Sequence, residues 1–105
     1  MKQTKLYYRG TGRHQELRRG DILKYDYPTS WTADQEIAES FVEGVEDPVI
    51  LILDAVGTIR GIHNHMNTYD EAELVLGPIY LEVFNRGEVD GYIYLTVAPI
   101  KGRIY

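Results

Sequence analysis

The chain has 105 residues, no cysteine, 44% apolar residues and a formal net charge of −5. This length points to a single domain over residues 1–105, with roughly two-thirds of the unfolded surface buried on folding. Its apolar content excludes a disordered chain, and the missing cysteines exclude a disulfide framework, a thiolate nucleophile and a Cys-ligated metal centre. A mean hydropathy of −0.30, with no apolar run of about eighteen residues, gives no sign of a membrane span. Met1 leads into polar and basic residues without an apolar h-region, so no secretory signal is expected and a cytoplasmic location is. The charge is asymmetric. Residues 1–24 carry seven Lys/Arg against Glu16 and Asp21, a balance of +5, whereas residues 25–105 carry a balance of −10. Such a segment marks either an anion- or nucleic-acid-binding face or simply a solvated one.

Leu6-Tyr7-Tyr8 reads as a short aromatic strand ending at Arg9-Gly10-Thr11-Gly12, a Gly-rich turn. A second turn signal, Arg18-Arg19-Gly20-Asp21, precedes a strand at Ile22-Leu23-Lys24-Tyr25, and the β-prone Thr29-Ser30-Trp31-Thr32 follows Pro28. Residues 33–43 predict a helix with Ile37, Ala38 and Phe41 as its apolar face and Gly44 as its stop. Thr32 is the expected N-cap, with Gln35 in capping-box position and Asp34 and Glu36 in the first turn. The apolar run from Val49 to Leu53 predicts a central strand covered on both faces. Further strands are expected over residues 58–62, 73–76, 79–84 and 92–98, with a polar loop over 63–70 and breaks at Gly77-Pro78, Asn85-Arg86-Gly87 and Asp90-Gly91. Strands with little helix imply an α+β or mostly-β domain of six to seven short strands and one or two helices.

Three local features can carry chemistry. Arg9 stands at a strand end beside the bare backbone of Gly10, where its planar fork suits a phosphate or ribose; a solvent-facing strand end is the plain alternative. The hydroxyls of Ser30 and Thr32 project to one face of a strand and can converge on one site, or Thr32 can simply cap the helix. Glu71 and Glu73 lie at i and i+2, pointing to one face, where neighbouring like charges prepare one carboxylate for base work; the alternative is a solvated acidic edge. His63-x-His65 with Asp70 or Glu71 has the composition of a metal site but not a strong ligand spacing, so no metal is expected.

In this order, these residues resemble the R-S-E signature of the ADP-ribosyltransferases related to cholera toxin and the arginine-modifying exotoxins. The aromatic-Arg strand is Tyr8-Arg9-Gly10. The Ser-x-Ser/Thr strand and its following helix are Ser30-Trp31-Thr32 and Ile37-Ala38-Glu39-Ser40-Phe41. The Glu-x-Glu strand is Glu71-Ala72-Glu73 with Leu74-Val75-Leu76 behind it. The resemblance implies a split, mixed β-sandwich with an NAD⁺ cleft between two small sheets. It implies that Arg9 holds the nicotinamide-side phosphate and ribose, that Ser30 orients Glu73, and that Glu73 hydrogen-bonds the ribose 2′-OH. Gly10 and Thr32 would complete the NAD⁺ contacts. Glu71 would activate an acceptor guanidinium, and residues 64–70, with Tyr69 as the aromatic candidate, would recognise the target. Trp31 or Tyr69 would stack on a ring, or Trp31 would pack in the core.

The implied activity is NAD⁺-dependent mono-ADP-ribosylation of a macromolecular acceptor, with a protein arginine favoured and RNA or a nucleotide left open. A compact phage or bacterial effector is a context that fits. Three alternatives stand beside it: NAD⁺ glycohydrolysis, a non-catalytic binding or inhibitor module on the same fold, and nucleic-acid binding through the basic N-terminal segment.

Overall fold

The computed structural model describes residues 6–54, 68–69 and 73–104. Chain order gives β1 (Leu6–Thr11), β2 (Ile22–Tyr25), β3 (Thr29–Thr32), α1 (Gln35–Ser40), β4 (Val49–Asp54), β5 (Thr68–Tyr69), β6 (Glu73–Leu76), β7 (Ile79–Val89) and β8 (Tyr92–Ile104). Seven of these strands have four residues or more, and β5 has two. The strands form one mixed sheet in the order β2-β7-β8-β4-β1-β3-β6-β5. The Val49–Leu53 run is central, as its unbroken apolar pattern requires: β4 pairs antiparallel with β1 and parallel with β8.

Alternation along the strands sends Tyr7, Leu23, Tyr25, Trp31, Leu51, Leu53, Leu74, Leu76, Leu81, Leu95 and Val97 into one core. Tyr25 comes from one edge of the sheet, whereas Trp31 and Leu74 come from near the other, so the sheet curls over on itself to bury them together. The opposite face of the central strands packs a smaller cluster, in which Ile50 meets Ala38 and Val42 of the α1 region.

Several boundaries differ from the sequence expectations. β1 runs straight through Gly10 and ends at Thr11, so the Gly-rich stretch is strand rather than turn at its start. Gly10 is where the helix backbone comes closest: a Cβ there would press on the Ala38 carbonyl oxygen and stand 3.2 Å from Val42 Cγ1. α1 is shorter than residues 33–43, and its N-cap is Asp34, whose carboxylate accepts the Glu36 N–H at 2.9 Å. Thr32 instead accepts the Asp34 N–H at 3.1 Å, forming the turn before the cap. The chain does leave the helical region at Gly44, which adopts φ 83°.

β7 continues through Asn85-Arg86-Gly87, with a register shift between Val83 and Asn85. The Arg86 guanidinium explains why no turn forms there: it donates to the Gln15 and Leu17 carbonyls at 2.6 and 3.1 Å and pairs with Glu88 at 2.8 Å. The hairpin closes later, at Asp90-Gly91, where both residues have positive φ (52° and 85°), the two-residue geometry that suits strand twist. β5 lies within the stretch expected as loop, and the expected strand over 58–62 falls outside the described residues.

Gly10→Ala is expected to lower unfolding stability by about 1–3 kcal/mol, because the obstacle is backbone and cannot rotate away. Gly87→Ala, whose Cβ would meet nothing within 4 Å, should change stability by less than about 1 kcal/mol. Urea unfolding midpoints of the two variants check the contrast.

Candidate active site

β1 and β3 share one register pair, Tyr8↔Thr32, and β3 and β6 share four, including Thr32↔Glu73. Tyr8, Thr32 and Glu73 therefore form a row across three strands and project to the same face. Beyond that row β1 and β3 part, and the sheet opens. A cavity of about 530 Å³ sits at the opening, with Tyr8, Arg9 and Gly10 from β1, Ser30, Trp31 and Thr32 from β3, Ile37 and Phe41 from the helix and Glu73 from β6 around it. The structure thus brings Arg9, Gly10, Ser30, Thr32 and Glu73 to one cleft. Glu71, Asp70, His63 and His65 lie outside the described residues, as does the side chain of Tyr69.

Arg9 is half-buried at the seam. Its Nη1 donates to the Ser30 carbonyl at 3.2 Å, and its guanidinium carbon lies 5.4 Å from the centroid of the Tyr25 ring. Its Nε is buried and has no hydrogen-bond partner. A buried cationic N–H without an acceptor is costly, which leaves the guanidinium one hydrogen-bond partner short beside the cavity. Ser30 is exposed on the strand whose carbonyl Arg9 holds, and Glu73 is exposed at the start of β6. Trp31 takes the core option: it is 1% exposed, and its Nε1 donates to the buried Thr29 hydroxyl at 2.9 Å, so its ring cannot stack on a ligand.

Helix α1 supplies a wall that the sequence reading did not assign. The pair facing the sheet is Ala38 and Val42, whereas Ile37 is 45% exposed and Phe41 73% exposed at the cavity. Both rows have i, i+4 spacing. Two small residues, Gly10 and Ala38, meet where the row of Ala38 and Val42 faces the sheet. The helix is tied to β8 by Glu39, which accepts from Tyr94 at 2.8 Å and, within the helix, from Gln35 at 2.9 Å. Desolvation, then the hydrogen bond to Glu39, raise the Tyr94 phenol above its ordinary range, so Tyr94 stays the donor.

Behind Arg9, His14 and Tyr25 also escaped sequence reading, since only the tertiary curl brings them near. Their rings meet edge to face at 5.8 Å and 84°, with Tyr25 OH and His14 Nε2 3.4 Å apart. Burial pushes the Tyr25 phenol up, against the hydrogen bonding and charge of Arg9. Burial pushes His14 below 6.5; Glu16 opposes this, and Arg13 and Arg9 reinforce it. Among the described residues, no group of three or more His, Asp or Glu is placed to hold a metal ion.

No protein-family model matches the chain, and no curated protein matches it. Among solved structures it is similar to Vis toxin, an ADP-ribosyltransferase from Vibrio splendidus, with a TM-score of 0.65 and 18% identity, covering 96% of this chain and 50% of that one. It is also similar to the ADP-ribosyltransferase Vis in complex with agmatine (TM-score 0.61, 17% identity, 96% and 51% covered). A third similar structure is Vis in complex with the M6 inhibitor (TM-score 0.62, 17% identity, 96% and 50% covered). The chain has the ADP-ribosyltransferase-like fold, the α+β mixed-sheet architecture expected above, and it spans about half the length of these structures.

Because the fold lowers the affinity of His14 for a proton, the unfolded chain binds that proton more readily below pH 6.5. Stability associated with His14 is therefore full above 6.5 and falls as pH drops toward the lowered native value. His14→Gln removes this titration. The thermal midpoint of the unsubstituted protein should fall relative to that of His14→Gln between about pH 7.5 and 5. A pH-independent difference between the two would show that His14 is not desolvated.

Proposed function

We propose that the chain is an ADP-ribosyltransferase-like domain that binds NAD⁺ in the cleft between β1 and β3 and transfers ADP-ribose to a macromolecular acceptor, with a protein arginine favoured. The observation that carries the reading is the gathering of Arg9, Ser30 and Glu73, from three separate strands, around one cavity with an apolar wall. The fold likeness to Vis supports it.

Each residue has work suited to its chemistry. Arg9 offers a fixed cationic fork to a phosphate of the dinucleotide, and Gly10 lines the cavity beside it. Ile37 and Phe41 give the nicotinamide ring an apolar wall. The Ser30 hydroxyl orients the Glu73 carboxylate, and Thr32 lines the same row. Glu73 accepts from the ribose 2′-OH and stabilises the positive charge that develops at C1′. The C1′–N bond to nicotinamide breaks, with its electron pair leaving on the nicotinamide nitrogen. An acceptor guanidinium nitrogen then bonds to C1′ and loses its proton to Glu71. Agmatine, which Vis binds, carries a guanidinium group, and this favours the same acceptor chemistry here. Glu71 and Tyr69 are the proposed acceptor contacts. A cytoplasmic site of action, as a phage or bacterial effector, and catalysis without a metal ion belong to the same proposal.

Water is the competing acceptor, since Ser30 and Glu73 are exposed to it, so NAD⁺ glycohydrolysis is the second reading. Nicotinamide release and label transfer from NAD⁺ to agmatine or lysate protein separate the two. Glu73→Gln is expected to lower kcat for both by about 100-fold or more, with the fold intact. Glu71→Gln is expected to abolish transfer to agmatine while sparing nicotinamide release. A folded protein that neither binds nor cleaves NAD⁺ would leave a non-catalytic binding module as the correct reading.

A further inference from the structure

Tyr25 is 2% exposed and lies on β2, an edge strand four places from β1 in the sheet. The curl of the sheet nevertheless sets its ring face against the Arg9 guanidinium at 5.4 Å. Two further aromatic rings fix that face. His14 meets it edge-on at 5.8 Å, and Tyr27 at 5.5 Å with planes 69° apart. The Arg9 guanidinium therefore lies between the Ser30 carbonyl on β3 and an aromatic platform on β2, spanning the two ends of the curled sheet. Both supports act on the ligand-free protein, and neither occupies Nε.

We propose that Tyr25, braced by His14 and Tyr27, is the positioning residue for Arg9, holding its guanidinium over the ring so that it stays in place at the cavity for an oxygen anion of the dinucleotide. This rests on the reading that the cleft takes NAD⁺. Arg9 is a flexible four-bond side chain that would otherwise lose rotamer freedom on each binding event; a ring that orders it beforehand removes that cost from binding. The platform carries no second cation at neutral pH, because burial keeps His14 neutral against the pull of Glu16, with Arg13 and Arg9 opposing protonation. The attraction of the cation to the aromatic quadrupole needs the ring, and the phenol oxygen adds a hydrogen bond accepted from the guanidinium.

The test compares the unsubstituted protein with Tyr25→Leu, Tyr25→Phe and Arg9→Lys. Steady-state nicotinamide release from NAD⁺ should show KM raised about 2- to 30-fold in Tyr25→Leu, with kcat within about twofold. Tyr25→Phe keeps the ring and loses only the phenol hydrogen bond, so its KM should lie well below that of Tyr25→Leu. In an Arg9→Lys background, Tyr25→Leu should add little, because the partner it positions is gone. Tyr25→Met, similar in length and not aromatic, replaces Leu if that variant does not fold.

A second readout needs no NAD⁺. In nitrogen-15 spectra of the free protein, the Arg9 Nε–H, assigned by its loss in Arg9→Lys, should be shifted upfield by the ring and exchange slowly with solvent. It should move to the position of a solvated arginine in Tyr25→Leu. An Nε–H signal equal in both proteins, or a KM loss as large in Tyr25→Phe as in Tyr25→Leu, would overturn the proposal. If the unsubstituted protein does not turn over NAD⁺, the functional reading fails, and the Nε–H signal still decides the placement of Arg9.

Discussion

Helix α1 can lie where it does only because β1 carries no side chain at residue 10. With hydrogen alone at Gly10, the helix backbone at Ala38 settles onto the strand, and Val42 follows one turn later. That contact fixes the rotation of the helix. Once Ala38 and Val42 face the sheet, Ile37 and Phe41 must face the neighbouring opening, and the Glu39–Tyr94 hydrogen bond holds the helix in that rotation from its far side. The apolar wall of the cleft is thus a consequence of strand–helix packing, obtained by leaving a large aromatic side chain in solvent.

The second constraint is the curl of the sheet. It brings β2 over the end of β1 and places Arg9 at a seam where its charge is shared between a carbonyl dipole and an aromatic face. The basic N-terminal quarter and the acidic remainder then acquire a geometry. Arg9, from the basic segment, and Glu73, from the acidic one, lie at the same cavity on strands separated by β3. A cation for an anionic group and a carboxylate for a developing cation are the two requirements of glycosidic cleavage of a dinucleotide. Arg13, Arg18 and Arg19 do not line this cavity.

Much of this was legible in the amino-acid order. Tyr8-Arg9-Gly10, Ser30-Trp31-Thr32 and Glu73 are local signals carried on strands, and strand alternation alone fixes which of their side chains share a face. The central position of the Val49–Leu53 run was legible for the same reason. The helix face was not, because a 3.6-residue period offers two adjacent apolar rows, and choosing between them required knowing that Gly10 lay beneath Ala38. Thr32 fits a cap by its spacing to Gln35, yet Asp34, two residues on, accepts the N–H. The break expected at Asn85-Arg86-Gly87 failed because Arg86 is tied to carbonyls some seventy residues earlier in the chain, a contact with no local signature. Tyr25 and His14 were invisible for a like reason, since the contacts of Tyr25 with Arg9 and with His14 exist only in the curled sheet.

The proposed chemistry depends on one cleft, held by Arg9, Ser30 and Glu73, taking NAD⁺. A crystal structure of the Glu73→Gln protein with NAD⁺ tests it most directly. The nicotinamide ring is expected against Ile37 and Phe41, a phosphate oxygen within hydrogen-bond distance of the Arg9 guanidinium, and residue 73 beside the nicotinamide ribose. NAD⁺ bound at any other surface, or a ligand in the cleft with no phosphate oxygen near the Arg9 guanidinium and residue 73 remote from the ribose, would contradict it.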